Sequence, residues 1–454
     1  MHSRPINIAI IGAGPAGIFT ADTLKQQDIP TRIDLFERLP VPFGLVRYGV
    51  APDHPRIKGI VDSLHNVLDR RDIRLVAGID VGRDITINQL TAAYDAVILT
   101  TGANDDAPLP IPGIDLPGSF GASEFVSWYS AHPDFSTAWP LDHEQVAVIG
   151  AGNVALDITR MLIKHHDDLS QTEIPGHVYE GLKASKVTDV HLFARRGPAE
   201  AAFSPQELHE LGDTPGVDII IDPDDMVFDR SSKALIASSR QTKKLTEILM
   251  EWAGRTPATP PAPRRVHLHF MQAPSRIEGT KRVEGITMER TQHLVNGMVE
   301  GTGKFRSYPV GQVYRAVGYA SSPMPGVPFN PDQRRVPHNR GRVMGDDGTP
   351  IPGLYVSGWI KRGPIGLIGS TKSDAKETVS QLIEDVQERP LGGGDRDPLP
   401  ELLASAELSG IDWDGWLRID AHERALGDAQ GRPRVKVFDR GELTQIALKR
   451  AKTA

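Results

Sequence analysis

Short apolar runs broken by glycine set the pattern of this chain. Ile8-Ala9-Ile10-Ile11 runs into Gly12-Ala13-Gly14-Pro15-Ala16-Gly17, and Val146-Ala147-Val148-Ile149 runs into Gly150-Ala151-Gly152-Asn153-Val154-Ala155. A continuous apolar run of this length reads as a strand buried on both faces, and the switch to glycine marks a sharp turn. Beyond each turn the apolar positions respace for a helix, through Phe19 and Leu24 in the first case and Leu156, Ile158, Met161, Leu162 and Ile163 in the second. A further strand follows each helix, over 31–37 and over 187–194. Strand, glycine turn, helix and strand, written twice, predict an α/β chain with two Rossmann-like dinucleotide-binding domains.

The remaining pattern predicts how these domains are threaded. The apolar run over 94–103 ends in the small-residue turn Thr101-Gly102-Ala103, the kind that marks a crossing between two such domains, and proline-rich residues 107–113 read as a linker. Alternation at Val266, Leu268 and Phe270 predicts a β excursion over 265–287, and a return strand lies over 313–319. A strand over 353–359 then rejoins the first domain, followed by a helix over about 373–387 and a loop over 391–400. Trp413, Trp416, Leu417 and Ile419 are too apolar to stay in water, so the helical tail should pack on the first domain. The expected division is therefore a first dinucleotide-binding domain over 1–105 and 321–454, with a second over 106–320 inserted in it.

The glycine spacing carries chemistry. Gly12 and Gly150 make the tight turn, Gly14 and Gly152 let backbone approach a pyrophosphate, and Gly17 or Ala155 lets the helix pack on its strand. The residue at the end of the next strand reaches the adenosine ribose, so its charge selects the ligand. Glu37 can accept hydrogen bonds from ribose hydroxyls and would repel a 2′-phosphate, which suits FAD. Arg195 and Arg196 would instead pair with a 2′-phosphate, which suits NADPH. Two dinucleotides in one chain imply hydride transfer between nicotinamide and flavin.

Composition narrows the acceptor. The chain has 454 residues, enough for two or three domains, and no cysteine. Without a thiol it can neither reduce a disulfide of its own nor hold an iron-sulfur cluster through thiolates. Electrons leaving a flavin must pass to a small acceptor or to another protein. A net charge of −7 argues against general nucleic-acid binding, and no apolar run suits a membrane helix. The first strand begins within a few residues of the start, which leaves no room for a leader, so the expectation is a cytoplasmic protein; a monomer is expected.

Longer strings add a resemblance. Phe36-Glu37-Arg38-Leu39-Pro40-Val41-Pro42-Phe43-Gly44-Leu45-Val46-Arg47-Tyr48-Gly49-Val50-Ala51-Pro52-Asp53-His54-Pro55, Phe193-Ala194-Arg195-Arg196-Gly197-Pro198, Ala202-Phe203-Ser204-Pro205-Gln206-Glu207-Leu208 and Gly358-Trp359-Ile360-Lys361-Arg362-Gly363-Pro364-Ile365-Gly366-Leu367-Ile368-Gly369 resemble adrenodoxin-reductase-type ferredoxin-NADP reductases. The likeness runs nearly the whole length and is greatest to the bacterial NADPH-ferredoxin reductases of that type. It implies hydride transfer from NADPH to FAD, then single electrons to an acidic ferredoxin or similar iron-sulfur protein. It implies that Gly12, Ala13, Gly14 and Gly17 meet the FAD pyrophosphate, Glu37 the ribose, Leu45 and Val81 the surrounding backbone, and Trp359, Gly366, Leu367 and Ile368 the flavin end. For NADPH it nominates Gly150, Gly152, Asn153, Val154, Arg195, Arg196 and Glu207. His54, Asp157 and Glu210 match positions near flavin and nicotinamide, with roles in geometry and protonation.

Residues 241–249 match the family segment whose basic residues meet acidic ferredoxins. There Leu245, Ile248, Leu249 and Trp252 form an apolar stripe, with Lys243 on the wetter face and Glu247 placed to neutralise it. The alternative reading is a flavin-dependent NADPH oxidase, quinone reductase or monooxygenase with a small acceptor.

Overall fold

The computed structural model describes residues 4–449, except 257–259, 295, 296, 367 and 389–395. The chain divides into two compact units: one runs up to Asp105, takes Ser130–Asp134 and continues from Tyr319, and the other holds Asp106–Tyr129 and Phe135–Gly318.

The first unit is built on a seven-stranded sheet. Ile6–Ile11 is the middle one of its five parallel strands, flanked by Thr31–Glu37 on one side and Ala96–Leu99 on the other. Arg74–Ala77 and Pro350–Val356 extend it in parallel, and Arg342–Met344 and His338–Asn339 finish it as an antiparallel edge. The middle strand is buried at every residue, which is why its sequence is a continuous apolar run rather than an alternation. Helices Pro15–Lys25 and Ile368–Glu388 bury Phe19, Leu24, Val379 and Leu382 in the same core.

The second unit repeats the plan. Its six-stranded parallel sheet has Gln145–Ile149 between Asp189–Phe193 and Gln312–Arg315. A three-stranded antiparallel sheet, Gln272–Glu278, Gly285–His293 and Val299–Tyr308, is added to it. The excursion expected over 265–287 is thus two things: Arg264–His269 belongs to the parallel sheet, and only the later strands leave it.

The tail packs as its tryptophans required. Trp413, Trp416 and Ile419 are buried in the core of the first unit, and Leu417 lies partly buried against it. Two local features differ from the sequence reading. A helix, Pro398–Ser405, begins inside the loop expected over 391–400, because the Asp397 carboxylate caps it by accepting the N–H of Leu399 at 3.2 Å and Pro398 sits at the first helical position. Ser130–Asp134 joins the first unit because Arg38 and Arg440 bind Asp134 at 2.6 and 2.7 Å and the His132 ring lies 4.9 Å from that of Tyr48.

Candidate functional site

Each fingerprint folds into a cradle whose walls come from three strands. In the first, Gly12 turns with φ +105°, and a Cβ there would lie 2.8 Å from the Thr100 carbonyl oxygen. Its N–H donates to the Phe36 carbonyl at 2.8 Å, and Thr100 Oγ1 donates to the carbonyls of Ile11 and Gly12 at 2.8 and 2.9 Å. Gly17 leaves no room for any side chain, since its Cβ would stand 1.9 Å from the Gly12 oxygen. Gly14 caps the helix Pro15–Lys25 without a side chain of its own, which leaves the first amides of the helix available to an anion. Opposite Gly14 stands Gly44, whose Cβ would come within 3.1 Å of Gly14 Cα, and the Phe43 N–H donates to the Ala13 carbonyl at 2.8 Å.

Glu37 closes this cradle at the strand end. It is buried, with one carboxylate oxygen accepting the N–H of Ala13 and the other the N–H of Leu39, both at 3.0 Å. Burial pushes its carboxyl above the ordinary glutamate range, while the amides of Leu39 and Ala13 pull it back. Each oxygen keeps a further lone pair, so a ribose hydroxyl can still be accepted.

The other residues nominated for FAD also lie in the first unit. Leu45 is half-buried and opens the helix Leu45–Tyr48, and Val81 is buried and bridged to Ile85. His54 is buried, its N–H donating to the Ala51 carbonyl at 3.1 Å. Trp359 starts a short helix, its ring 6.2 Å from Tyr319 and inclined at 25°. Gly366 has φ +88°, a value that favours glycine. Leu367 lies outside the described residues, and so does the side chain of Ile368, whose backbone opens the helix Ile368–Glu388.

In the second cradle a Cβ at Gly150 would lie 2.2 Å from the Ala316 oxygen, and the Gly150 N–H donates to the Phe193 carbonyl at 3.0 Å. No atom lies within 4 Å of a Cβ built on Gly152, so the space before the helix Asn153–Ile163 is open. Asn153 Oδ1 accepts the N–H of Ser204 at 2.9 Å, and Val154 is half-buried in the first turn. Ser204 in turn caps the helix Pro205–Gly212 by accepting the N–H of Glu207.

The sequence reading missed the group that organises the acids here. Arg160 is wholly buried and donates to Asp157 Oδ1 at 2.8 Å and Glu207 Oε2 at 3.2 Å, with Glu210 Oε2 at 4.0 Å. Three nominated carboxylates thus gather on one guanidinium. The only sequence signal for it is an arginine three residues after Asp157 on an otherwise apolar helix face.

Arg195 and Arg196 stand just beyond the strand Asp189–Phe193, and both are exposed. Their backbone is held, because the Arg195 carbonyl accepts from Thr291 Oγ1 at 2.8 Å and the Arg196 carbonyl from the Met271 N–H at 3.1 Å. On the helix Arg240–Ala253, Leu245, Ile248, Leu249 and Trp252 are buried, while exposed Lys243 lies 4.0 Å from Glu247.

Comparisons with known proteins agree with this architecture. Residues 6–222 match the family model of the pyridine nucleotide-disulphide oxidoreductases. The chain has no cysteine, so what it shares with that family is the nucleotide-binding fold rather than thiol chemistry. It is 38% identical to the NADPH-ferredoxin reductase FprA of Mycobacterium tuberculosis, over 98% of this chain and 100% of the relative. It is 35% identical to the mitochondrial NADPH:adrenodoxin oxidoreductase of Arabidopsis thaliana, over 98% of this chain and 96% of the relative. The solved structure of Mycobacterium tuberculosis FprA in complex with NADPH matches with a TM-score of 0.91 at 38% identity, covering 98% of this chain and 100% of that one. With both glycine cradles in place and full-length identity at this level, the chain belongs to the adrenodoxin-reductase-type family of NADPH-ferredoxin reductases.

Proposed function

We propose that the chain is an FAD-dependent NADPH-ferredoxin oxidoreductase, in which hydride passes from NADPH to FAD and single electrons leave for an iron-sulfur protein. The observation that carries this reading is the opposite chemistry at one structural position. Ile11 pairs with Phe36 and Ile149 with Phe193 in the same register, yet the next residue is the buried acid Glu37 in one unit and Ala194, followed by two exposed arginines, in the other.

The cradles fit the two groups. A dinucleotide pyrophosphate would lie on the helix that Gly14 opens, with Gly12, Ala13 and Gly17 shaping the turn and Glu37 accepting from the ribose. When bound there, FAD supplies the means to accept two electrons together and give them up singly. Leu45, Val81, Trp359, Gly366, Leu367 and Ile368 would line its further reach. For NADPH, Gly150, Gly152, Asn153 and Val154 would hold the pyrophosphate, and Arg195 and Arg196 the 2′-phosphate through forked charge-assisted bonds. Arg160 holds Glu207, Asp157 and Glu210 as a set, and with His54 these groups would keep geometry and protonation in order during hydride transfer.

The finer reading of the partner is an acidic ferredoxin, for which exposed Lys243 offers a cation. No helix among the described residues is long and apolar enough to cross a membrane. Stopped-flow mixing of the flavin-loaded protein with NADPH, followed by ferredoxin and a cytochrome reporter, tests the assignment. Flavin bleaching followed by ferredoxin-dependent cytochrome reduction is expected; reoxidation by quinone or oxygen alone would overturn it.

A further inference from the structure

Four charged side chains are buried where the C-terminal tail meets the first cradle: Arg47, Glu423, Arg434 and Lys436. Glu423 is shared. Arg47 Nη2 donates to one of its oxygens at 2.5 Å, Arg434 Nη1 to the other at 2.7 Å, and the Val437 N–H to the first at 3.0 Å. Burial alone would raise the Glu423 carboxyl, yet Arg47 and Arg434 outweigh it and hold the group below the ordinary glutamate range. Lys436 Nζ donates to the Arg47 carbonyl at 2.8 Å, so side chain and backbone of Arg47 are both tied to the tail. The Trp416 ring lies 5.4 Å from the Arg47 guanidinium and 6.0 Å from that of Arg434, and it meets the Phe43 ring edge-on at 5.3 Å.

These contacts converge on the corner at Phe43 and Gly44. Phe43 has φ +85°, a conformation that a bulky residue keeps only where its surroundings enforce it. The corner touches the first fingerprint twice, through the Phe43 N–H on the Ala13 carbonyl and through Gly44 against Gly14. Buried charges cost desolvation that apolar packing would avoid, whereas a carboxylate shared by two guanidiniums adds direction.

We propose that Glu423 and Arg47 are positioning residues for the dinucleotide of the first unit: through Glu423 the tail holds Arg47, and with it the Phe43-Gly44 corner closed on Gly14, and so sets how fast FAD leaves. This rests on reading the first cradle as the FAD site. Arg47→Met and Arg434→Met each leave Glu423 with one guanidinium, but only Arg47 lies next to the corner. The experiment uses purified holoenzyme and records FAD release by fluorescence recovery on dilution, the thermal midpoint, and the KM for NADPH.

Arg47→Met should speed FAD release about tenfold or more, the effect expected for losing a charged hydrogen bond, with the KM for NADPH unchanged. Arg434→Met should lower the thermal midpoint with release near that of the unmodified protein, and Arg47→Lys should fall between. Equal release from the two methionine variants, or unchanged release from Arg47→Met, would overturn the proposal. Should Arg47→Met not fold, Arg47→Lys decides alone: faster release supports the clamp and unchanged release removes it. Glu37→Lys is run alongside, and full flavin retention there would bring down the FAD reading itself, whatever the clamp variants do.

Discussion

The two cradles share a register and a turn but differ at two places. At the third fingerprint position the first unit has Gly17, where a Cβ would lie 1.9 Å from a backbone oxygen, while the second has Ala155, which is buried with its Cβ in place. At the strand end the first unit has a buried carboxylate bonded to the backbone of its own fingerprint, and the second has alanine with two arginines in solvent. In the first unit the acid proposed to read the ribose also closes the turn; in the second, the arginines proposed to read the nucleotide stand apart from it. One fold thus carries two arrangements at the strand end, one bonded into the turn and one standing outside it.

The largest expected effect breaks the first difference. Gly17→Ala forces a methyl group into the Gly12 carbonyl, so the purified protein should lose its flavin, as its absorbance spectrum would record. Ala155→Gly, the reciprocal change, should cost only about 1 kcal/mol of stability and leave NADPH oxidation intact. Flavin retained in Gly17→Ala would mean that the cradle opens more readily than its geometry allows.

Next comes the strand-end contrast. Replacing Arg195 and Arg196 together by alanine should raise the KM for NADPH about tenfold to a hundredfold, since each charge-assisted bond is worth about 1.5–3 kcal/mol before solvent screening. The KM for NADH should barely move. Equal losses with both nucleotides would place the arginines at the pyrophosphate or in the fold.

The smallest effect concerns acid stability. In the second unit His191 and His269 approach to 3.1 Å. Burial, with neighbouring histidines adding to it, pushes His191 down to about 4 and His269 down to about 2. The first unit has a counterpart in His132, lowered to about 4 by burial. Because the folded values lie below the unfolded one, the unfolded chain takes up protons first as pH falls, and stability is lost from about pH 6.5 downward, by roughly 1.4 kcal/mol per histidine and pH unit at most. Thermal midpoints between pH 7.5 and 4.5 should therefore fall less steeply in His269→Gln than in the unmodified protein. An unchanged acid limb would place the loss at His132 or elsewhere.

Much of the fold was legible in the sequence. The strand expected over 31–37 forms at Thr31–Glu37, because its apolar residues Ile33, Leu35 and Phe36 are bracketed by a proline before and an acid after. Trp413 and Trp416 announced their burial by size and apolarity alone. The helix at Pro398–Ser405 went unread because Asp397-Pro398 serves equally as a loop signal and as a cap with a first helical residue, and only the capping bond tells them apart.

By itself, then, the sequence determined that there are two glycine cradles, which strands they close, and which charge stands at each strand end, since these depend on residues close together in the chain. It could not show that Arg160 gathers Asp157, Glu207 and Glu210, or that Glu423 reaches Arg47 across 376 residues. Local pattern encodes what the backbone does over one turn or strand. Which buried charges find partners is decided by packing, because an ionised group leaves water only where the fold brings an opposite charge to meet it.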